Sequence, residues 1–142
     1  MPKPTQIDHI AIATPNLSAS LKFYKDQLGL EVNHIEELPD RGIRVAMLPI
    51  GEATIELIEP LHDKSEVSGY LAKRGAGIHH IALRSKDVDQ DVEELKKNNV
   101  RLTADQAAPG AHNCRVAFIH PKASGGVLLE LTTPPKDQHD AS

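Results

Sequence analysis

An α+β domain of two tandem βαβββ modules is the fold class this sequence predicts, on three observations. The stretches QIDHIAIATPNLSASLKFYKDQLGLEV (6–32) and GIHHIALRSKDVDQDVEELKKNNVRL (77–102) share one plan of strand, turn, amphipathic helix and strand. Each half closes on a β-rich run with a central glutamate and a final proline, ATIELIEP (53–60) and GVLLELTTP (126–134). Between them, GIRVAMLPI (42–50) and CRVAFIHP (114–121) supply the remaining strands. The expected layout is one domain over 5–134, with module one at about 5–60, a joining segment at 61–76, module two at about 77–134 and a polar tail over 135–142.

Each element has a local reason. In the first helix Leu17, Leu21, Tyr24 and Leu28 recur at helical spacing behind Asn16, a capping residue type that follows Pro15. In the second, Val88, Val92 and Leu95 recur behind Asp87, with Gln90 three residues on in a capping-box pattern. SEVSGYLAKRG (65–75) predicts a short helix inside the joining segment.

Composition narrows the function classes. At 142 residues, 39% hydrophobic and 25% charged, the chain suits one compact domain with a modest core. The formal charge is -4 and the 16 Lys and Arg are scattered, so no nucleic-acid partner is expected. Cys114 is the single cysteine, which excludes an internal disulfide. MPKPTQIDH carries no apolar signal region and no run has membrane length, so the expectation is a protein of the reducing cytoplasm without a membrane partner.

The two modules bring chemistry into register. His9 and His80 occupy the same place in the repeat (80 − 9 = 71), and so do Glu56 and Glu130 (130 − 56 = 74). Carboxylates in buried strands are costly unless paired or metal-bound. On its strand His9 shares a face with Ala11 and Ala13, and His80 shares one with Ala82, so small residues leave space beside each imidazole. His79 points to the other face with Ile81 and Leu83, as a structural neighbour. Two copies related by a pseudo-twofold would bring His9, Glu56, His80 and Glu130 to one point, a donor set that suits one divalent first-row metal ion with positions left open for substrate.

This layout, with ligands in the order His, Glu, His, Glu, resembles the vicinal oxygen chelate superfamily of glyoxalase I, extradiol dioxygenases, metal-free antibiotic-binding proteins and acyl-CoA epimerases. Extradiol dioxygenases depart from it, with two His and one Glu. Within the superfamily the closer resemblance is to the methylmalonyl-CoA epimerase family. It spans nearly the whole chain and rests on IELIEPL (55–61), SEVSGYLAKRGAGIHHIAL (65–83), GAHNCRVAFIHPK (110–122) and GGVLLEL (125–131). The chain carries HPKASGG where glyoxalase I has an Asp-Pro-Asp-Gly type turn.

The resemblance implies a strongly curved mixed sheet around the metal site, with cobalt, zinc, nickel or manganese as candidate ions. It implies an acyl-CoA substrate, exchange of the 2R and 2S forms of methylmalonyl-CoA by 1,1-proton transfer at C2, and a homodimer. Glu130, and after it Glu56, are the candidates for a ligand that also carries the proton. Some relatives place a glutamate base in the segment matching GIRVAML, which here has no carboxylate, and Glu52 just beyond is a poor substitute. A glyoxalase I type lactoylglutathione lyase, sharing the ligand set, and a metal-free small-molecule binding protein are the alternatives. His112 and His120 are expected to fix loops near the substrate mouth, and Lys73, Arg74 and Lys122 are candidate phosphate contacts. Cys114 reads as an ordinary strand residue, and His34, His62 and His139 carry no motif.

Overall fold

The computed structural model describes residues 1–136; the rest of the polar tail, with His139, lies outside the described residues. The chain divides into two compact units, one of His9–His79 and the other of Met1–Asp8 together with the chain from His80 onward.

In the unit His9–His79, strand β1 (Gln6–Ala13, whose first three residues belong to the other unit) leads into helix α1 (Leu17–Leu21), followed by β2 (His34–Leu38), β3 (Ile43–Ile50), β4 (Ala53–Pro60) and helix α2 (Glu66–Arg74). The strand order is β2-β3-β4-β1, antiparallel except for the parallel pair β4 and β1. The Asn16 side chain accepts from Ala19 N at 3.0 Å, as its residue type predicts. Leu17, Ala46, Leu48 and Leu57 form the buried centre, and Ile12, Leu21, Tyr24, Leu30, Val32 and Ile55 pack on it.

The end of the first helix departs from the 3.6-residue pattern. From Lys22 to Gln27 the turn widens to a π-helix, and Leu28 N–H donates to Phe23 O, five residues back. The extra residue in that turn rotates Leu28 off the apolar stripe, where it is 56% exposed, and Leu30 and Val32 fill the core instead. The second strand of this module therefore starts at His34, beyond the LEV segment that the repeat suggested.

The other unit has the same order of elements: β5 (Gly77–Arg84, of which Gly77–His79 fall in the first unit), α3 (Val88–Lys97), β6 (Ala108–Pro109), β7 (Arg115–Ile119), the single-turn helix α4 (Pro121–Ser124) and β8 (Leu129–Thr133). Its strand order is β5-β8-β7-β6, with β5 and β8 parallel. Val88, Val92, Ala117 and Leu131 make its core, with Leu83, Leu95, Leu102, Ala107 and Ile119 against them. The leading segment closes the far side of β5: Thr5 N–H donates to Arg84 O at 3.0 Å and the Arg84 guanidinium binds Asp8 Oδ1 at 2.7 Å.

Three sequence expectations change here. Asp87 caps α3 by accepting from Gln90 N at 3.1 Å, but its own N–H goes to Ser85 Oγ at 3.2 Å, so the reciprocal half of the capping box is filled from upstream. The strand expected near 100–102 shrinks to one bridge between Leu102 and Ile119, with a two-residue β6 further on. Cys114 precedes β7 rather than lying in it, because its N–H closes a 3₁₀ turn on Ala111 O at 3.1 Å. No helix among the described residues is long and apolar enough to cross a membrane.

Candidate functional site

The parallel register builds each histidine–glutamate pair. In the first unit Ala11 of β1 lies opposite Glu56 of β4, and His9 is two residues before Ala11 on the same face. In the second, Ala82 of β5 lies opposite Glu130 of β8, and His80 is two residues before Ala82. A methyl side chain opposite each glutamate leaves the volume in which carboxylate and imidazole meet. His9 Nε2 lies 3.5 Å from Glu56 Oε2 with both side chains under 10% exposed (9% and 8%). His80 Nε2 lies 3.0 Å from Glu130 Oε1, at 3% and 4% exposure. The antiparallel neighbours differ: Met47 stands across from Glu56, whereas Phe118 stands across from Glu130 and meets the His80 ring edge to face at 5.3 Å.

These separations fit shared ligation. Two donor atoms, each about 2.1 Å from one ion, stand about 3.0 Å apart at a right angle and about 3.4 Å apart at the tetrahedral angle. The second pair, at 3.0 Å, falls in that range and the first, at 3.5 Å, lies just above it, and neutral imidazole with carboxylate is the donor chemistry of divalent first-row metals.

The remaining singled-out residues are structural or exposed. His79 packs edge-on against Tyr70 at 4.8 Å, while Tyr70 OH donates to Ile78 O at 2.6 Å, so the two residues fasten α2 to the start of β5. His120 caps α4, its Nδ1 accepting from Lys122 N at 3.0 Å; burial, with Arg101 and Lys122 adding to it, holds its pKa below the ordinary histidine value. His112 takes a left-handed conformation (φ 57°) in the Ala111–Asn113 turn. His62 Nδ1 accepts from Lys64 N at 3.2 Å. Lys73, Arg74 and Lys122 are exposed, with the Arg74 guanidinium 5.9 Å from the centre of the Tyr70 ring. Glu52 sits exposed in the turn between β3 and β4. One feature had no motif to announce it: His34 Nε2 lies 2.8 Å from Glu36 Oε1 on β2.

Comparison with known proteins gives the lineage. Residues 8–118 match the model of the glyoxalase/bleomycin resistance protein/dioxygenase superfamily. The mitochondrial methylmalonyl-CoA epimerase of Mus musculus is 39% identical over 127 residues, which cover 89% of this chain and 71% of that one. The chain belongs to the methylmalonyl-CoA epimerase family. An ethylmalonyl-CoA/methylmalonyl-CoA epimerase of Cereibacter sphaeroides is 38% identical, with 89% of this chain and 96% of that one covered. A solved methylmalonyl-CoA epimerase in complex with methylmalonyl-CoA and ammonium superposes with a TM-score of 0.90 at 40% identity, covering 94% of this chain and 97% of that one. A lactoylglutathione lyase of Arabidopsis thaliana matches at 24% identity over 87% of this chain but 42% of its own length, which places the lyase branch further off. The chain is thus related to enzymes of the racemase and epimerase class, and its βαβββ modules are those of the epimerase fold.

Proposed function

We propose that this protein interconverts the 2R and 2S forms of methylmalonyl-CoA, with His9, Glu56, His80 and Glu130 holding one divalent ion. The observation that carries the reading is a buried imidazole beside a buried carboxylate at the same register position in both modules, in a chain whose near relatives are named for this activity. His9, His80 and Glu130 are buried residues with ligand atoms of the required kind. When bound, the ion would supply Lewis-acid stabilisation of the enolate that forms as the C2 proton leaves. Burial of both glutamates keeps water from competing at their oxygens. Glu130, and after it Glu56, is assigned a second role as proton carrier, since a carboxylate at the site can take the C2 proton and return it. The metal-free reading has no use for two matched His–Glu pairs.

The finer features follow from the same reading. An acyl-CoA is the substrate, the cytoplasm is the location on the strength of a single cysteine, and the assembly is a homodimer, the commonest closed oligomer. Light scattering at the 15.5 kDa of one chain would remove the dimer. The deciding assay runs methylmalonyl-CoA in deuterated solvent beside methylglyoxal with glutathione. Deuterium at C2 with inversion is the expected result, and lactoylglutathione formation without it would replace the epimerase reading by the lyase.

A further inference from the structure

The second module carries a basic cluster on the sheet face of its own histidine–glutamate pair. Leu102 bridges Ile119 in antiparallel fashion, with Thr103 N–H donating to Phe118 O at 3.0 Å and His120 N–H donating to Arg101 O at 2.9 Å. Arg101 therefore stands opposite His120, and Thr103 opposite Phe118. Leu102 and Ile119 pack into the core of this unit. By alternation Arg101, Thr103, Phe118 and His120 face the other side, where Phe118 lies across from Glu130 and meets the His80 ring. Two residues, about 7 Å along the strand, separate His120 from Phe118. Lys122 is drawn to the same place, because its backbone N–H donates to His120 Nδ1 at 3.0 Å. Burial, and after it the charges of Arg101 and Lys122, hold the His120 pKa down, so both cations lie within electrostatic reach of the ring.

Gathered like charge is unfavourable unless an opposite charge answers it. The other arginines of this unit are answered, Arg84 by Asp8 at 2.7 Å and Arg115 by Asp89 at 2.7 Å. Among the described residues no carboxylate pairs with Arg101 or Lys122, and both are exposed. Backbone bonds alone fix their positions, which leaves a guanidinium and an ammonium to meet a ligand. We infer that Arg101 and Lys122 bind phosphate groups of a coenzyme A moiety, with the His120 cap holding the two cations together; the choice of ligand rests on the epimerase reading. An acyl-CoA carries its thioester at one end of a pantetheine arm and its phosphates at the other. The phosphate contacts therefore belong on the face of the His80–Glu130 pair but further along the strand. A guanidinium offers a phosphate a planar fork of donors, and an ammonium adds a point charge. The first module has no counterpart, because the turn between β3 and β4 that stands in place of α4 carries the carboxylate of Glu52.

Titration calorimetry on the metal-loaded protein tests this, with coenzyme A, pantetheine and inorganic phosphate as probes and Arg101→Gln and Lys122→Gln as variants. Neither change touches the backbone bonds that hold the turn. The wild type should bind coenzyme A at least about 10-fold more tightly than pantetheine, and each variant should lose about 10-fold in affinity for coenzyme A, the scale of one charge-assisted bond. All three proteins should bind pantetheine alike. Equal affinity for coenzyme A in the wild type and both variants overturns the assignment, as does a parallel loss for pantetheine. Inorganic phosphate bound as tightly as coenzyme A would make the cluster a general anion site and overturn the choice of ligand. The two readings fail separately. A wild type that binds coenzyme A in the expected pattern yet puts no deuterium at C2 of methylmalonyl-CoA keeps the phosphate contacts and loses the epimerase; inversion with unaltered coenzyme A binding in the variants does the reverse.

Discussion

The two modules agree in their framework and differ in what they present on the face that bears the histidine–glutamate pair. Their agreement reaches individual hydrogen bonds. Thr14 Oγ1 accepts from Asn16 N and Ser85 Oγ accepts from Asp87 N, each at 3.2 Å, and the partners are 71 residues apart (85 − 14 and 87 − 16). Ser20 then binds Thr14 where Asp91 binds Ser85, again at that offset. The first helical N–H of each module is held from the last strand: Leu17 N by Glu59 Oε2 at 2.7 Å and Val88 N by Thr133 Oγ1 at 2.9 Å. The offset becomes 74 on β4 and β8 (133 − 59) because a two-residue turn joins β3 to β4, whereas the α4 turn joins β7 to β8. The difference lies beside the pairs: Met47, His34 and Glu36 flank the first, Phe118, Val116 and Ala108 the second. Duplication conserved the parts that set strand and helix geometry, and left the flanking strands to diverge into a polar side and an apolar side.

The largest expected effect would break the equivalence of the two pairs. His80→Ala should remove the metal and cut epimerisation by ~10²-fold or more, since it deletes a donor from the tighter pair and leaves Glu130 buried beside a void. His9→Ala should do the same to a lesser degree, its pair being looser. Metal analysis of both proteins decides; unchanged metal in His80→Ala would refute the ligand set. Next comes Glu130→Gln against Glu56→Gln. The first should retain metal and slow turnover ~10²-fold, the usual scale for a lost acid or base, and the second should be milder; the reverse order in steady-state kinetics would move the proton-carrying role to the first module.

Smaller changes sharpen the shared framework. Glu59→Ala should lower stability by about 2 kcal/mol and Thr133→Val by about 1 kcal/mol, because a charge-assisted bond outweighs a neutral one. Glu59 also holds Arg44 Nη1 at 2.8 Å. Urea unfolding measures both, and equal losses would show that charge adds nothing to the anchoring of α1. The smallest effect concerns His120. Its folded-state pKa lies below its unfolded value, because burial, with the nearby charges of Arg101 and Lys122, disfavours the protonated ring, and the α4 cap uses the unprotonated Nδ1. Its contribution is therefore complete above about pH 6.5, and fades as the pH falls toward the lowered value. A His120→Asn variant, which keeps an acceptor, should show a shallower decline in thermal stability between pH 7 and 5.

Much of this was legible because the chain states it twice. The strand bearing His9 and the strand bearing His80 read alike, and Glu56 and Glu130 each sit mid-run before a closing proline, so the matching of each histidine with a glutamate followed from the repeat. Non-local geometry was not legible. Leu28 fits the helical stripe by spacing, and only the π turn, after which Leu30 and Val32 pack on the core, shows why it faces solvent. Asp87 announces its cap, but the bond from its own N–H to Ser85 competes with Gln90 in a way spacing cannot rank. His34 and Glu36 carry no motif at all. Their alternation on one strand hints at a shared face, but the row linking them to Glu56 depends on the pairing of three strands.

Strand β1 has a kinetic consequence. It starts in one compact unit and ends in the other, and its start is tied to a residue far down the chain, with Thr5 and Arg84 separated by 79 positions. Closing so long a loop has to precede the reward of pairing, which raises contact order and slows folding. During synthesis, the backbone edge of Gln6–Asp8 waits for more than half of the polypeptide before its neighbour exists. An early unpaired edge is where two nascent copies would join wrongly, and the Asp8 carboxylate beside it, later neutralised by Arg84, is the type of charge that discourages such pairing.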